Sequence, residues 1–203
     1  MTTIIIPTKG RPDKLLRCVK SIGANYAVRI YATQPSDIHP EIYPLDNVHI
    51  EFGGKTVIQA QNYMASQCVG DVTPISDDVE FMPGAIKYAE NLMKRHGNNA
   101  VVAFKVINMN CNNDAFVLVG DKLIKERGYL FDEGFEHFYA DTELGNYAKS
   151  KDKFFVCSKA QIKNYHPVVT KVFDETHNYR RSEKLEHDRK YYEQLESSRL
   201  LHR

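Results

Sequence analysis

The apolar positions of this chain follow two periods that alternate along it. "TTIIIPT" (2–8) is a short β-branched run stopped by Pro7, the pattern of a buried strand. In "RPDKLLRCVKSI" the residues Leu15, Leu16, Val19 and Ile22 return at helical spacing, and Pro12 suits a first helical turn. "AVRIYAT" (27–33) alternates as a strand, whereas residues 34–46 hold Pro35, Pro40 and Pro44 and read as loop. "VHIEF" (48–52) predicts a third strand, and Gly53-Gly54 turns it into a helix over 55–68. "VTPIS" (72–76) predicts a fourth strand, and Pro83 opens a helix with the stripe Ile86, Ala89, Leu92 and Met93. Further strands are expected at 100–107, at 115–120 and in "KFFVC" (153–157), with helices over 121–128 and about 141–150. The last 22 residues are charged and helical in pattern.

This alternation predicts an α/β fold with a mostly parallel central sheet covered by helices. Ligands in such sheets bind beyond the C-terminal strand ends. Thr8-Lys9-Gly10-Arg11 and Asp77-Asp78 both fall at such ends, so the two segments are expected to meet at one rim.

Composition narrows the class. An apolar fraction of 42% and a charged fraction of 26% are those of a soluble globular chain. A net charge of +1 predicts neither a general attraction to nucleic acid nor an acidic tail. Cys18, Cys68, Cys111 and Cys157 are widely spaced without a C-x-x-C pair, which argues against a zinc knuckle or a disulfide framework and fits a reducing compartment. Residues 2–6 are too short for a signal peptide, and no run reaches the ~20 apolar residues of a spanning helix. The expectation is a cytoplasmic protein without membrane contact.

In "PISDDVEF" (74–81) three carboxylates within four positions repel one another. A hard divalent cation would offset that, since such ions take one or two carboxylates plus substrate phosphates. The alternative is a solvated turn that also caps the helix at Pro83.

Three blocks, in order, carry a family resemblance: "TIIIPTKGRPDKLLRCVKSI", "NYMASQCVGDVTPISDDVEFMPGAI" and "FDEGFEHFYADTELGNYAKSKDKFF". Over residues 2–157 the chain resembles the inverting, family-2-like glycosyltransferases of the GT-A fold, a three-layer sandwich with a Rossmann-like half. The resemblance implies a nucleotide-diphosphate sugar as donor, a UDP-sugar by preference, and Mn²⁺ or Mg²⁺ as cofactor. Pro7, Thr8, Lys9 and Arg11 would line the nucleoside side. Asp78 would be the main metal ligand, with Asp77 facing the ribose or sugar. Asp141 would be the catalytic base, with Glu143 as fallback, and Asp132 and Glu133 would shape the acceptor side. This chain departs from the pattern in reading Gln61-Asn62 for Arg-Asn and Ala140-Asp141 for Glu-Asp.

The residues also speak for themselves. At ~3.6 residues per turn, Ile58, Gln61, Asn62 and Ala65 share one helix face. Two amides in a small apolar stripe need partners: a donor ligand or neighbouring backbone. Asp141 is either a helix N-cap or a general base that takes the proton of an attacking hydroxyl. Further on, His166 precedes Pro167 in extended context and is the candidate third metal ligand, with His177 as its competitor. Lys171, Arg180 and Arg181 are candidates for the diphosphate leaving group. Residues 170–203 hold eight Lys and Arg against seven Asp and Glu, a mixed-charge helix that suits a lid over the donor, a solvent-bridging strut or a homodimer contact.

The expected organisation is a glycosyltransferase-like unit over 1–163, with 164–203 as a lid loop and charged helix of the same domain. The expected reaction moves a hexose or pentose to an acceptor hydroxyl with inversion. A small molecule, a protein or a modified DNA base would serve as acceptor, the last as in phage enzymes similar to this class; a phage-encoded chain would act in the host cytoplasm. A nucleotidyltransferase, a non-catalytic nucleotide-sugar binding module and a hydrolase that releases sugar from the donor are the alternatives.

Overall fold

The structure, a computed structural model, describes residues 1–108, 113–166 and 181–201. The strands are β1 (Thr2–Thr8), β2 (Ala27–Ala32), β3 (Val48–Phe52), β4 (Asp71–Pro74), β5 (Val79–Phe81), β6 (Val101–Val106), β7 (Val117–Val119) and β8 (Phe154–Asn164). The helices are α1 (Pro12–Ile22), α2 (Val57–Ser66), α3 (Ala85–Arg95), α4 (Asp121–Arg127), α5 (Ala140–Ser150) and α6 (Arg181–Leu201).

The strands form one sheet in the order β3-β2-β1-β4-β7-β6-β8-β5. β3, β2, β1 and β4 run parallel, β7 is antiparallel to both β4 and β6, and β6 and β8 are parallel again. Period-two alternation splits the apolar residues between two faces. Ile4 and Ile6 of β1 and Val102 and Phe104 of β6 pack with Leu15, Val19, Ile86 and Met93 of α1 and α3. Ile5, Val101 and Ala103 turn the other way, onto Ile58 and Met64 of α2, Leu123 of α4 and Leu144 of α5. The result is helix, sheet, helix: the expected three layers. Among the described residues no helix is long and apolar enough to cross a membrane.

Two elements differ from the sequence expectation. β5 forms just after the acidic pair and lies antiparallel to β8, with Val79 opposite Asn164 and Phe81 opposite Ile162. Three residues are too short for a period to be legible. β8 continues well past Cys157, because a bulge carries the pairing with β6 from Cys157 to Gln161. From its last residue on, Ala160, Ile162 and Asn164 are buried, a period-two pattern masked by the polar residues between them.

Candidate active site

The register between β1 and β4 ends at Ile5 opposite Pro74, and the two strands part there. Thr8 and Asp77 stand just beyond that point, at the strand ends where an α/β sheet of this order forms its binding crevice. The Thr8 hydroxyl donates to Asp77 Oδ2 at 2.7 Å, and Arg11 Nη2 lies 2.8 Å from Asp77 Oδ1. Arg11 Nη1 is 3.4 Å from Asp78 Oδ2, whose other oxygen accepts from the Ser76 hydroxyl at 2.6 Å. Both aspartates are buried. Burial pushes Asp77 up to about 6 against the pull of Arg11 and the Thr8 hydrogen bond, and Asp78 adds to the rise. The third carboxylate, Glu80, turns away to accept from the Tyr165 hydroxyl at 2.6 Å. The repulsion written into "SDDVE" is thus offset by a guanidinium from far along the chain.

Two buried carboxylates at a strand end fit a hard divalent cation that completes its shell with phosphate and water. Of the two, Asp78 would hold such an ion, since Arg11 is closer to Asp77. Among the described residues no group of three or more His, Cys, Asp and Glu side chains is assembled. His166 follows Tyr165, whose N–H donates to the Asp78 carbonyl at 2.8 Å; this brings the end of β8 beside the acidic pair. The His166 N–H itself donates to Asn164 Oδ1 at 2.9 Å.

Asp37 completes this side of the rim. Its buried carboxylate accepts from the Gly10 N–H at 2.8 Å and from the Thr33 and Gln34 N–H groups at 3.0 Å each. The loop after β1, with exposed Lys9, is thereby tied to the loop after β2. Pro7 lies opposite Tyr31 of β2.

On α2, Gln61 is buried, and Asn62 is bonded to the chain itself. Its Nδ2 donates to the Phe131 carbonyl at 2.8 Å and its Oδ1 accepts from the Phe131 N–H at 2.9 Å, with Glu133 also within 3.2 Å. The amide pins the 131–133 segment against α2, which is the backbone alternative.

Asp141 lies in the first turn of α5 and is half-buried. Its Oδ1 accepts from the Thr142 N–H at 2.8 Å. Burial raises its pKa, with Asp114 adding to the rise, against the Thr142 hydrogen bonds. Glu143 differs sharply. It is buried and ion-paired to equally buried Arg127 at 2.7 Å, so its carboxylate serves the core and is sealed from an arriving hydroxyl. Arg180, Lys171 and His177 lie outside the described residues; Arg181 opens α6, but its side chain is not among those described.

No protein-family model matches the sequence, and no curated protein does. Solved structures do match. Residues 1–349 of S. aureus TarS align with a TM-score of 0.64 and 14% identity over 82% of this chain and 60% of that one. TarS 1–349 in complex with UDP-GlcNAc gives 0.63 and 14% over 80% and 57%. The mannosyltransferase PcManGT from Pyrobaculum calidifontis, in complex with GDP-Man and Mn²⁺, gives 0.62 and 13% over 80% and 56%. The chain therefore spans less than two thirds of each.

The fold is of the GT-A type.

Within this GT-A fold the structure adds site-side residues that sequence reasoning passed over. Asp37 was hidden in a Pro-rich loop, although an acid three residues after Gln34 is a capping signal. His137, in "FEHFYAD", is exposed and has neighbouring protein on one side. Desolvation by that protein lowers its pKa, as do Lys184, Arg11 and His166, so Arg11 and His166 lie within electrostatic reach of it. Tyr139, just before α5, has a left-handed backbone with φ 62°.

Proposed function

We propose that this chain transfers a sugar from a nucleotide-diphosphate donor to an acceptor hydroxyl, inverting the anomeric centre. The observation that carries the reading is the Thr8–Arg11–Asp77–Asp78 constellation in the crevice where β1 and β4 part, where α/β sheets bind ligands. The donors bound in the similar TarS and PcManGT structures support a nucleotide sugar as the ligand class, and the Mn²⁺ of PcManGT supports a divalent metal.

Asp78, assisted by His166, would hold Mn²⁺ or Mg²⁺, and the ion would neutralise charge on the diphosphate as it leaves. Pro7, Thr8, Lys9 and Arg11 bind the nucleoside and phosphate side, and Asp77 keeps Arg11 and Thr8 in place. Asp141 accepts the proton of the acceptor hydroxyl as its oxygen attacks the anomeric carbon; the new C–O bond forms while the bond to the diphosphate oxygen breaks. A raised pKa makes Asp141 a better base than an exposed aspartate. We assign a UDP-sugar as donor and a small molecule, a protein or a modified DNA base as acceptor.

Mass spectrometry of these acceptors, incubated with UDP- and GDP-sugars and Mn²⁺, tests the reading. The expected result is a hexose or pentose mass increment with release of nucleoside diphosphate. Release of pyrophosphate would make the protein a nucleotidyltransferase instead, and tight donor binding without turnover would make it a binding module.

A further inference from the structure

We propose that Asp188, on the C-terminal helix, is a positioning residue of this site: it holds residues 136–138 and so sets where His137 and, through Tyr139, Asp141 stand. The proposal rests on the reading of Asp141 as the base.

Asp188 is fully buried. Its carboxylate accepts three successive backbone N–H groups, those of Glu136 at 2.9 Å, His137 at 2.9 Å and Phe138 at 2.7 Å. Successive N–H groups that converge in this way form an anion-binding nest. Here the anion comes from a helix about 50 residues further on, and bonds to an ionised acceptor are roughly twice as strong as neutral ones. Burial works against its charge, but these N–H groups and His187 hold its pKa below the ordinary carboxylate range.

α6 grips the same segment at both ends. The Tyr191 hydroxyl donates to Asp132 Oδ1 at 3.0 Å, and its ring meets Phe135 edge-on at 4.9 Å. The Tyr192 ring stacks on Tyr139 at 5.3 Å, and its hydroxyl accepts from Asn146 of α5 at 2.6 Å. Lys184 pairs with Glu136 at 3.5 Å. The ring stack from α6 thus bears on a residue with a left-handed backbone. Strain of this kind persists only where the surroundings over-determine it. It sits two residues before Asp141, so relaxing it would turn the first helical turn that carries the carboxylate. The charges of Lys184, Asp188, Arg11 and His166 all act on His137.

Asp188→Asn in the full chain tests this, since one carbonyl oxygen cannot replace two carboxylate oxygens. The expected results are amide exchange at 136–138 faster by ~10-fold or more, β1 and β4 unchanged, and kcat lower by ~10²-fold, the scale of a misplaced reacting group. Affinity for UDP or GDP with Mn²⁺ should stay within about twofold, and the His137 pKa read by NMR should fall further as its anionic neighbour is lost. Tyr192→Leu keeps the nest but frees Tyr139, and should lower kcat by less; if Asp188→Asn does not fold, this variant decides with the same readouts. Faster exchange with unchanged kcat overturns the proposal. So does an equal loss of kcat and nucleotide affinity, which would mean the nest only holds the fold. A wild-type chain that transfers no sugar removes the reading of Asp141 and this role with it, and that outcome shows in the wild type alone.

Discussion

The β1–β4 strand ends and the 131–141 segment are held by opposite means. The crevice is made by strand ends in the middle of the sheet, and its groups neutralise one another: Arg11 against Asp77 and Asp78, hydroxyls of Thr8 and Ser76 against the same carboxylates. The 131–141 segment has no strand of its own. It is fixed from outside, by Asn62 of α2 at one end and by Asp188, Tyr191 and Tyr192 of α6 along the rest. A segment built from sheet is rigid wherever the sheet is. A segment held by borrowed contacts is only as rigid as its lender, so the two should respond differently to mutation.

The largest difference is expected in chemistry. Asp141→Asn keeps the size of the side chain but cannot accept a proton, and general-base catalysis contributes on the order of 10²–10⁴ in rate. Steady-state kinetics should show a kcat loss of that size with the donor KM unchanged. Near-normal transfer would remove the base role from this segment.

Arg11→Met attacks the crevice. Stranding buried carboxylates by removing one partner typically costs about 3–5 kcal/mol. Urea unfolding should show a loss of that order, and Mn²⁺ should recover part of it in the variant while moving the wild type less. Absence of any Mn²⁺ effect in the variant would mean that the pair does not accept a cation.

A smaller effect should follow pH. Asp77 has its folded pKa raised from 3.8 to about 6, so the folded state binds more protons than the unfolded chain between those values. Stability contributed by this group is therefore greatest below about 4 and is lost as pH rises through 6, by roughly 2–3 kcal/mol. Asp77→Asn should flatten this slope in unfolding experiments run from pH 4 to 7. An identical slope in the variant would assign the dependence to other carboxylates.

The smallest change concerns the 131–141 segment. A Cβ at Gly134 would run into the Tyr191 ring. Gly134→Ala should therefore destabilise by about 1–3 kcal/mol, the usual cost of overpacking, and loosen α6 before the sheet. Uniform loosening in hydrogen exchange would mean that α6 and the sheet are equally rigid.

Much of the crevice was legible. "TTIIIPT" and "VTPIS" carry enough β-branched residues to mark two strands, and the parallel-sheet rule places their C-terminal ends together. The acidic pair then had to lie near Thr8 and Arg11. That Arg11 would pair with both carboxylates was not legible, because charge pattern says that repulsion must be offset but not by which group. Gln61 and Asn62 were recognisable as amides in an apolar stripe, yet nothing local tells a ligand from the Phe131 backbone. Glu143 read as an alternative base because its burial depends on Arg127, which approaches from α4.

By itself the sequence determined the two periods, the three layers they build and the rim where the acidic pair must fall, since these follow from the local alternation of apolar side chains. Only the tertiary structure decided what meets at that rim. Arg11 reaches Asp78 across 67 positions, and Asp188 reaches His137 across 51. A carboxylate chooses its partner by distance in space after the core has closed, and no spacing along the chain encodes that distance.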